Sequence, residues 1–248
     1  MSSKGSSVEP KSIELIEQMH ADPSIGELAR DLFVRSCEYR YSYNFSWLGR
    51  PVIQYPEDLV ALQEIIWSVR PDCVFETGIA HGGSIIFYAS LLKLLGGERF
   101  VLGVDIDIRA HNRAAIETHP VADRIEMIEG SSIDPDVVKS VFERIGDRRN
   151  VVVVLDSNHT EDHVLAELRA YSPLVRKGGY LIVMDTVVEH MPEDAFPDRP
   201  WGVGNNPMSA VKKFLSENKR FEMDPEYNGK LLLTVAPNGY LRCVSDPE

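Results

Sequence analysis

Val151-Val152-Val153-Val154-Leu155-Asp156-Ser157-Asn158-His159 is the stretch on which the reading of this chain turns. Its first five residues are all apolar and offer no polar face. Such a run predicts a strand covered on both sides, at the centre of a parallel α/β sheet, because a half-exposed strand would alternate. Ligands of open α/β sheets collect at the carboxyl ends of the strands. Asp156 and His159 are then among the first polar groups to meet that crevice. Asp156 also suits the N-cap of a helix opening at Thr160-Glu161-Asp162-His163, where a short side-chain oxygen accepts from free backbone amides. The motif alone leaves both readings open.

Outward from this run, strand and helix alternate from Pro71 onward. Cys73 to Glu76 predicts a strand, followed by a Gly-rich turn and a helix over Ser84 to Leu95. Phe100 to Asp105 predicts a second strand with a helix over His111 to Thr118, and Ile125 to Ile128 a third with a helix over Pro135 to Ile145. A helix follows the valine run to about Leu174, and Lys177-Gly178-Gly179 closes it as a C-cap. Tyr180 to Met184 is the fifth strand, and Pro207 to Asn218 a further helix. Leu231 to Val235 and Tyr240 to Val244 predict two last strands joined by Ala236-Pro237-Asn238-Gly239, since Asn-Gly favours a tight hairpin. This order predicts an α/β fold: a doubly wound, mostly parallel seven-stranded sheet with a C-terminal β-hairpin.

Upstream, Ser12 to Glu38 carries apolar residues at helical spacing, and in Tyr39 to Tyr55 aromatic residues alternate with polar ones. Pro56-Glu57-Asp58 then opens a helix with apolar Leu59, Leu62, Ile65, Ile66 and Val69. Residues 1–55 are therefore expected to form an N-terminal helical extension and aromatic arm, and residues 56–248 the sheet domain. Met1 to Val8 is polar, Ser-rich and expected to be disordered.

Composition narrows the function. With 26 basic and 38 acidic residues, the net charge is −12. That argues against partners such as nucleic acid or anionic lipid surfaces, which require basic patches. Cys37, Cys73 and Cys243 are far apart and odd in number, so neither a CxxC metal site nor a disulfide framework is expected, and a reducing, cytoplasmic setting is. No run at the N-terminus resembles a signal peptide, and none approaches the roughly 18 apolar residues that membrane insertion needs.

The first half of the domain reads as a nucleoside site. Glu76-Thr77-Gly78-Ile79-Ala80-His81-Gly82-Gly83-Ser84 lies between the first strand and helix, and Gly78 and Gly82 allow a tight turn and close backbone approach. The pattern is neither GxGxxG nor a P-loop, because no lysine follows. Asp105, ending the second strand, stands where an acid accepts hydrogen bonds from a ribose diol, although it also suits an N-cap. Glu129-Gly130-Ser131-Ser132, after the third strand, is small and polar enough to admit a flat base.

At this point the chain resembles a known family. ExGxxxGxS at Glu76 to Ser84, Asp105, the Gly130-Ser131-Ser132 turn and the closing hairpin look like a class I S-adenosylmethionine-dependent methyltransferase. Tyr43 to Tyr55, Asp156-Ser157-Asn158-His159, Met184-Asp185-Thr186 and Gly204-Asn205-Asn206-Pro207-Met208 are similar, more closely, to the cephalosporin hydroxylase family. Despite its name, that family includes rhamnosyl O-methyltransferases. The resemblance runs from about Tyr39 to Val244 and implies a Rossmann-like methyltransferase fold. It also implies S-adenosyl-L-methionine contacts at Glu76, Gly78, His81, Gly82, Ser84, Asp105, Gly130, Ser131, Ser132 and Asp156.

The second half carries the chemistry. Asp185 ends the fifth strand as Asp156 ends the fourth, and adjacent strands lie about 5 Å apart, close enough for both acids to hold one cation. Oxygen ligands favour Mg²⁺ over zinc. In the resembled metal-dependent O-methyltransferases, the ligands map onto Asp156, Asp185 and Thr186, the last usually Asp or Asn. The same resemblance puts the catalytic base at His159, a residue type suited to general-base work. His163, one helical turn on, either orients His159 or is simply solvated. Tyr43, Trp47, Gln54, His190 and Trp201 are candidate walls for a saccharide or other small-molecule acceptor, while the arm aromatics equally suit contacts in a homo-oligomer. The leading expectation is a Mg²⁺-dependent O-methyltransferase acting on a sugar or a glycosylated natural product. A hydroxylase with a two-His-one-carboxylate iron site, and an inactive nucleoside-binding scaffold, are the alternatives.

Overall fold

The structure, a computed structural model, describes residues 10–246, so the Ser-rich stretch Met1 to Val8 lies outside the described residues. The valine run forms β6 (Val151–Leu155), every residue of it buried. Its side chains divide between two cores. Val152 and Val154 pack into one, and Val151, Val153 and Leu155 into the other. This period-two division is why the run carries no polar face.

β6 lies between β3 (Cys73–Thr77) and β7 (Tyr180–Val183), parallel to both. β4 (Phe100–Asp105) and β5 (Ile125–Glu129) extend the parallel sheet beyond β3. On the far side β9 (Tyr240–Cys243) pairs antiparallel with β7, and β8 (Phe221–Met223) closes the edge. The order is β5-β4-β3-β6-β7-β9-β8. The chain leaves β3 in one direction and returns to lay β6 on its other side. The crevice of an open sheet forms at such a switch point, here beyond Thr77 and Leu155.

Helices cover both faces. α3 (Pro56–Val69) and α4 (Gly83–Leu95) bury Leu62, Ile65, Ile85 and Ile86 in the first core, joined there by Ile116 of α5 (Ala110–Glu117). α6 (Pro135–Ile145), α7 (Glu161–Tyr171) and α8 (Pro207–Glu217) bury Val141, Leu168 and Phe214 in the second. α6 begins where Asp134 accepts from the amides of Asp136 and Val137, with Pro135 leading the first turn. At α7 the N-cap position belongs to Thr160, not Asp156, which removes the capping reading of that acid.

The N-terminal helical spacing resolves into α1 (Pro10–His20) and α2 (Pro23–Glu38), split at Asp22-Pro23. A short turn over Tyr41–Asn44 leads into a small antiparallel hairpin of β1 (Phe45–Trp47) and β2 (Arg50–Val52), separate from the main sheet. The hairpin docks on the start of α4, where a Cβ on Gly83 would meet the Pro51 carbonyl oxygen at 2.1 Å. No helix of the described residues is long and apolar enough to cross a membrane.

One strand expectation needs correction. Leu231 to Val235 forms no strand; the antiparallel partner of β9 is β8, ten residues earlier, with α9 (Pro225–Lys230) between. The Asn238-Gly239 turn does form, with Asn238 at φ 59° and the Gly239 amide donating to Ala236 O at 2.9 Å. The cause lies in α3. The buried Asp58 carboxylate accepts from the Val235 amide at 2.9 Å, the Tyr240 hydroxyl at 2.7 Å and the Thr234 hydroxyl. These bonds draw the 231–235 segment over α3 and away from the sheet edge.

Removing the acceptor should strand three buried donors, each costing about 1–3 kcal/mol. Asp58→Ala is expected to lower the unfolding free energy by about 3 kcal/mol or more in urea titrations. Burial also pushes the Asp58 carboxyl up from 3.8 to about 6. An acid whose folded value is raised stabilises below its unfolded value, and that contribution is lost as pH rises through about 6. The stability advantage of the wild type over Asp58→Asn should therefore shrink between pH 4 and pH 7 by about 3 kcal/mol. A difference that does not vary with pH would show that Asp58 stays ionised throughout.

Candidate active site

The glycine turn that follows β3 is held from several sides. Gly78 takes φ 92°, and its amide donates to Val104 O at 2.7 Å. A Cβ on Gly78 would sit 2.1 Å from the Asp156 carbonyl oxygen, so the turn presses directly against the end of β6. Asp105 accepts from the amides of Ile79 at 2.7 Å and Ala80 at 3.0 Å through one oxygen, and from Asp107 N at 3.1 Å through the other. Behind the turn, Arg50 donates to His81 O and, at 3.0 Å, to Asn112 Oδ1, while Asn112 donates to Ala80 O at 2.9 Å. Neither Arg50 nor Asn112 stood out in the sequence, because nothing in their spacing ties them to the turn.

Glu76 lies beneath this turn rather than in the crevice. It is fully buried and accepts from Ser84 Oγ at 2.6 Å and Tyr88 OH at 3.0 Å. Burial pushes its carboxyl up to about 8. Ser84 lines the crevice above it.

Two adjoining cavities open at the carboxyl end of the sheet. The smaller, about 130 Å³, is lined by Gly78, Asp105, Gly130, Ser131, Ser132, Ser157, Asn158 and His163. His163 is not simply solvated. Its Nε2 lies 3.0 Å from Ser132 Oγ and 3.3 Å from Ser157 Oγ, and 3.6 Å from the buried Glu167 carboxylate. It serves this cavity and does not orient His159.

The larger cavity, about 700 Å³, also takes in Gly78 and Asp105 and is floored by Asp156, His159 and Asp185. One ligand atom from each of these three lies within 4.8 Å of the others. Asp185 adopts φ 55°, a left-handed conformation that Asp tolerates better than most residues. Its Oδ2 meets His159 Nε2 at 3.1 Å. The Asp156 carboxyl is held well above the usual carboxylate range, first by burial and then by the charges of Asp185 and Glu76. The walls come from two elements: the arm with Tyr43, Gln54 and Tyr55, and the segment after β7 with Phe196, Arg199 and Trp201. Trp201 packs on His159 with ring centroids 4.7 Å apart, and the Arg199 guanidinium lies 5.1 Å from the Trp201 ring.

Of the acceptor-wall expectations, Tyr43, Gln54 and Trp201 line this cavity, and His81 lies at its cofactor-turn side. Three other candidates do not line this cavity. Thr186 is fully buried and its hydroxyl donates to Pro237 O at 2.7 Å, while His159 stands with the two acids in the cluster. Trp47 spends its indole N–H on Ser90 Oγ at 3.1 Å and packs edge-on against Phe87, pinning the hairpin to α4. His190 lines a different cavity, between α2 and the 228–238 segment.

Comparison with known proteins agrees with this geometry. Residues 39–244 match the family model described as rhamnosyl O-methyltransferase/CmcI. Rhamnosyl O-methyltransferases of Mycobacterium tuberculosis and Mycobacterium bovis are 31% identical over 187 residues, covering 74% of this chain and 72% of theirs. That of Mycobacterium leprae is 29% identical over 198 residues, covering 79% and 82%. Among solved structures, CmcI with Mg and SAM superposes with a TM-score of 0.57 at 19% identity, covering 82% of this chain and 78% of that one. An O-methyltransferase from Bacillus cereus in complex with SAH gives a TM-score of 0.55 at 18% identity over 93% and 97%. The chain belongs to the rhamnosyl O-methyltransferase/CmcI family of S-adenosylmethionine-dependent O-methyltransferases.

Proposed function

We propose that the chain methylates a hydroxyl of a sugar or sugar-bearing molecule, with a divalent cation, Mg²⁺, held by Asp156 and Asp185 and with His159 as the base. The observation that carries this reading is the meeting of Asp156, His159 and Asp185 within 4.8 Å on the floor of the large cavity. The names of the mycobacterial relatives support a saccharide acceptor, and the Mg- and SAM-bound CmcI supports the cation.

The residues fit such an ion. Two carboxylates and one imidazole crowd together with their side chains largely out of water, and a cation between the acids would offset their mutual repulsion. Carboxylate oxygens with at most one imidazole suit Mg²⁺ or Mn²⁺ better than zinc. When bound, the cation lowers the pKa of a hydroxyl in contact with it, and S-adenosylmethionine supplies an electrophilic methyl group.

The protein's own residues do the rest. Asp105 accepts from the ribose diol, and Ser131, Ser132 and His163 flank the base in the smaller cavity. Ser84, backed by Glu76, addresses the polar end of the donor. Tyr43, Gln54 and Trp201 hold the acceptor with one hydroxyl directed at His159. The imidazole takes the hydroxyl proton as the oxygen forms its bond to the methyl carbon and the carbon–sulfur bond breaks. The Asp185 carboxylate, 3.1 Å from Nε2, stabilises the imidazolium so formed. Fixing donor and acceptor in line removes the entropy of their encounter.

A second role for His159 has an observation in its favour: one of its ring nitrogens falls inside the ligand set, as a third ligand would. The two roles separate in His159→Ala. As a base, His159 is dispensable for Mn²⁺ and S-adenosylmethionine binding while kcat falls about 10²–10⁴-fold; as a ligand, its loss lowers metal affinity in parallel. Full activity in the variant rules out both roles.

EDTA should abolish methyl transfer to rhamnosides and other glycosides, followed by mass spectrometry, and added Mg²⁺ should restore it. Undiminished turnover in EDTA would discard the cation. Gly78→Ala, strained by its positive φ and by contact with Asp156, is expected to lose S-adenosylmethionine binding in calorimetry. If the wild type binds none below millimolar concentrations, the whole assignment falls.

A further inference from the structure

Gln54 occupies an uncommon position. It lies between β2 and α3, is 2% exposed and still lines the large cavity. Its Nε2 donates to Asp156 Oδ2 at 3.1 Å across 102 residues of sequence, while its Oε1 is buried with no partner. A buried amide half satisfied in this way costs stability relative to an apolar side chain of the same length, so packing does not account for it. As placed, the nitrogen faces Asp156 Oδ2 and the oxygen faces away from it.

We infer that Gln54 is a positioning residue: its N–H fixes one oxygen of Asp156, so that the other is presented to the cation in a single orientation. This rests on the reading of Asp156 as a ligand. The bond spans from the aromatic arm to the end of β6, so the segment that walls the acceptor also sets the metal acid. Oε1 is left for a hydrogen donor entering the cavity, a role that the acceptor hydroxyl fills. Removing a group that hydrogen-bonds to a ligating side chain typically lowers metal affinity about 10–100-fold.

The test replaces Gln54 by a residue of similar length without hydrogen bonds. For the wild type and Gln54→Met, Mn²⁺ binding is measured from the free-ion signal in electron paramagnetic resonance, S-adenosylmethionine binding by calorimetry, and thermal midpoint by circular dichroism. The expected result is an Mn²⁺ affinity lowered about 10–100-fold, with cofactor affinity retained and the midpoint unchanged or raised. A merely structural glutamine predicts the reverse, a lowered midpoint with metal affinity within twofold of wild type, and that outcome overturns the inference. Gln54→Leu gives a second shape should Gln54→Met fail to fold, with the same two outcomes. A wild type that binds S-adenosylmethionine but no Mn²⁺ at millimolar concentrations overturns the cation reading itself, and Gln54's role with it.

Discussion

The glycine turn reaches the end of β6 only because Gly78 has no side chain. With a Cβ, that residue would collide with the Asp156 carbonyl oxygen at 2.1 Å. The contact brings the nucleoside end of the crevice within reach of the acids, so both cavities share Gly78 and Asp105 as a common wall. Everything proposed for the site depends on that distance. A methyl donor lying in the turn and an oxygen above Asp156 can be collinear only if no side chain separates them.

The same closeness creates an electrostatic problem. Glu76, Asp156 and Asp185 converge beneath one crevice in a chain that is already acidic. Glu76 is answered by two hydroxyl donors and by burial that favours its neutral form. Asp156 has one amide donor from Gln54, and Asp185 has His159. Carboxylates so placed accept a proton or a cation, and a cavity open to solvent lets either arrive.

The sheet was readable because each strand leaves a local trace. The β6 valines, the Pro135–Ile145 helix and the acids at strand ends all follow from periodicity and capping, which are properties of neighbouring residues. The failures are long-range. Leu231 to Val235 has strand composition, yet bonds from Asp58, more than 170 residues away, take it elsewhere. Thr186 follows Asp185 directly, but the left-handed turn at Asp185 and the Pro237 carbonyl send its hydroxyl in another direction. Trp47 and His190 have residue types common in sugar sites, and only packing shows that they serve α4 and a separate cavity. The place of His163 was misread for a related reason: its partners Ser132 and Glu167 are not signalled by its spacing, which pointed to His159 or to solvent instead.

The ties of Asp58 also bear on the order in which the chain becomes active. Its partners, Thr234, Val235 and Tyr240, lie 176, 177 and 182 residues downstream. Closing a loop of that length is an expensive and late event in folding, and one that requires nearly the whole chain to be available. α3, and with it the start of the segment that follows Gln54, therefore draws part of its support from residues near 240, so this corner of the crevice is held by both halves of the sequence.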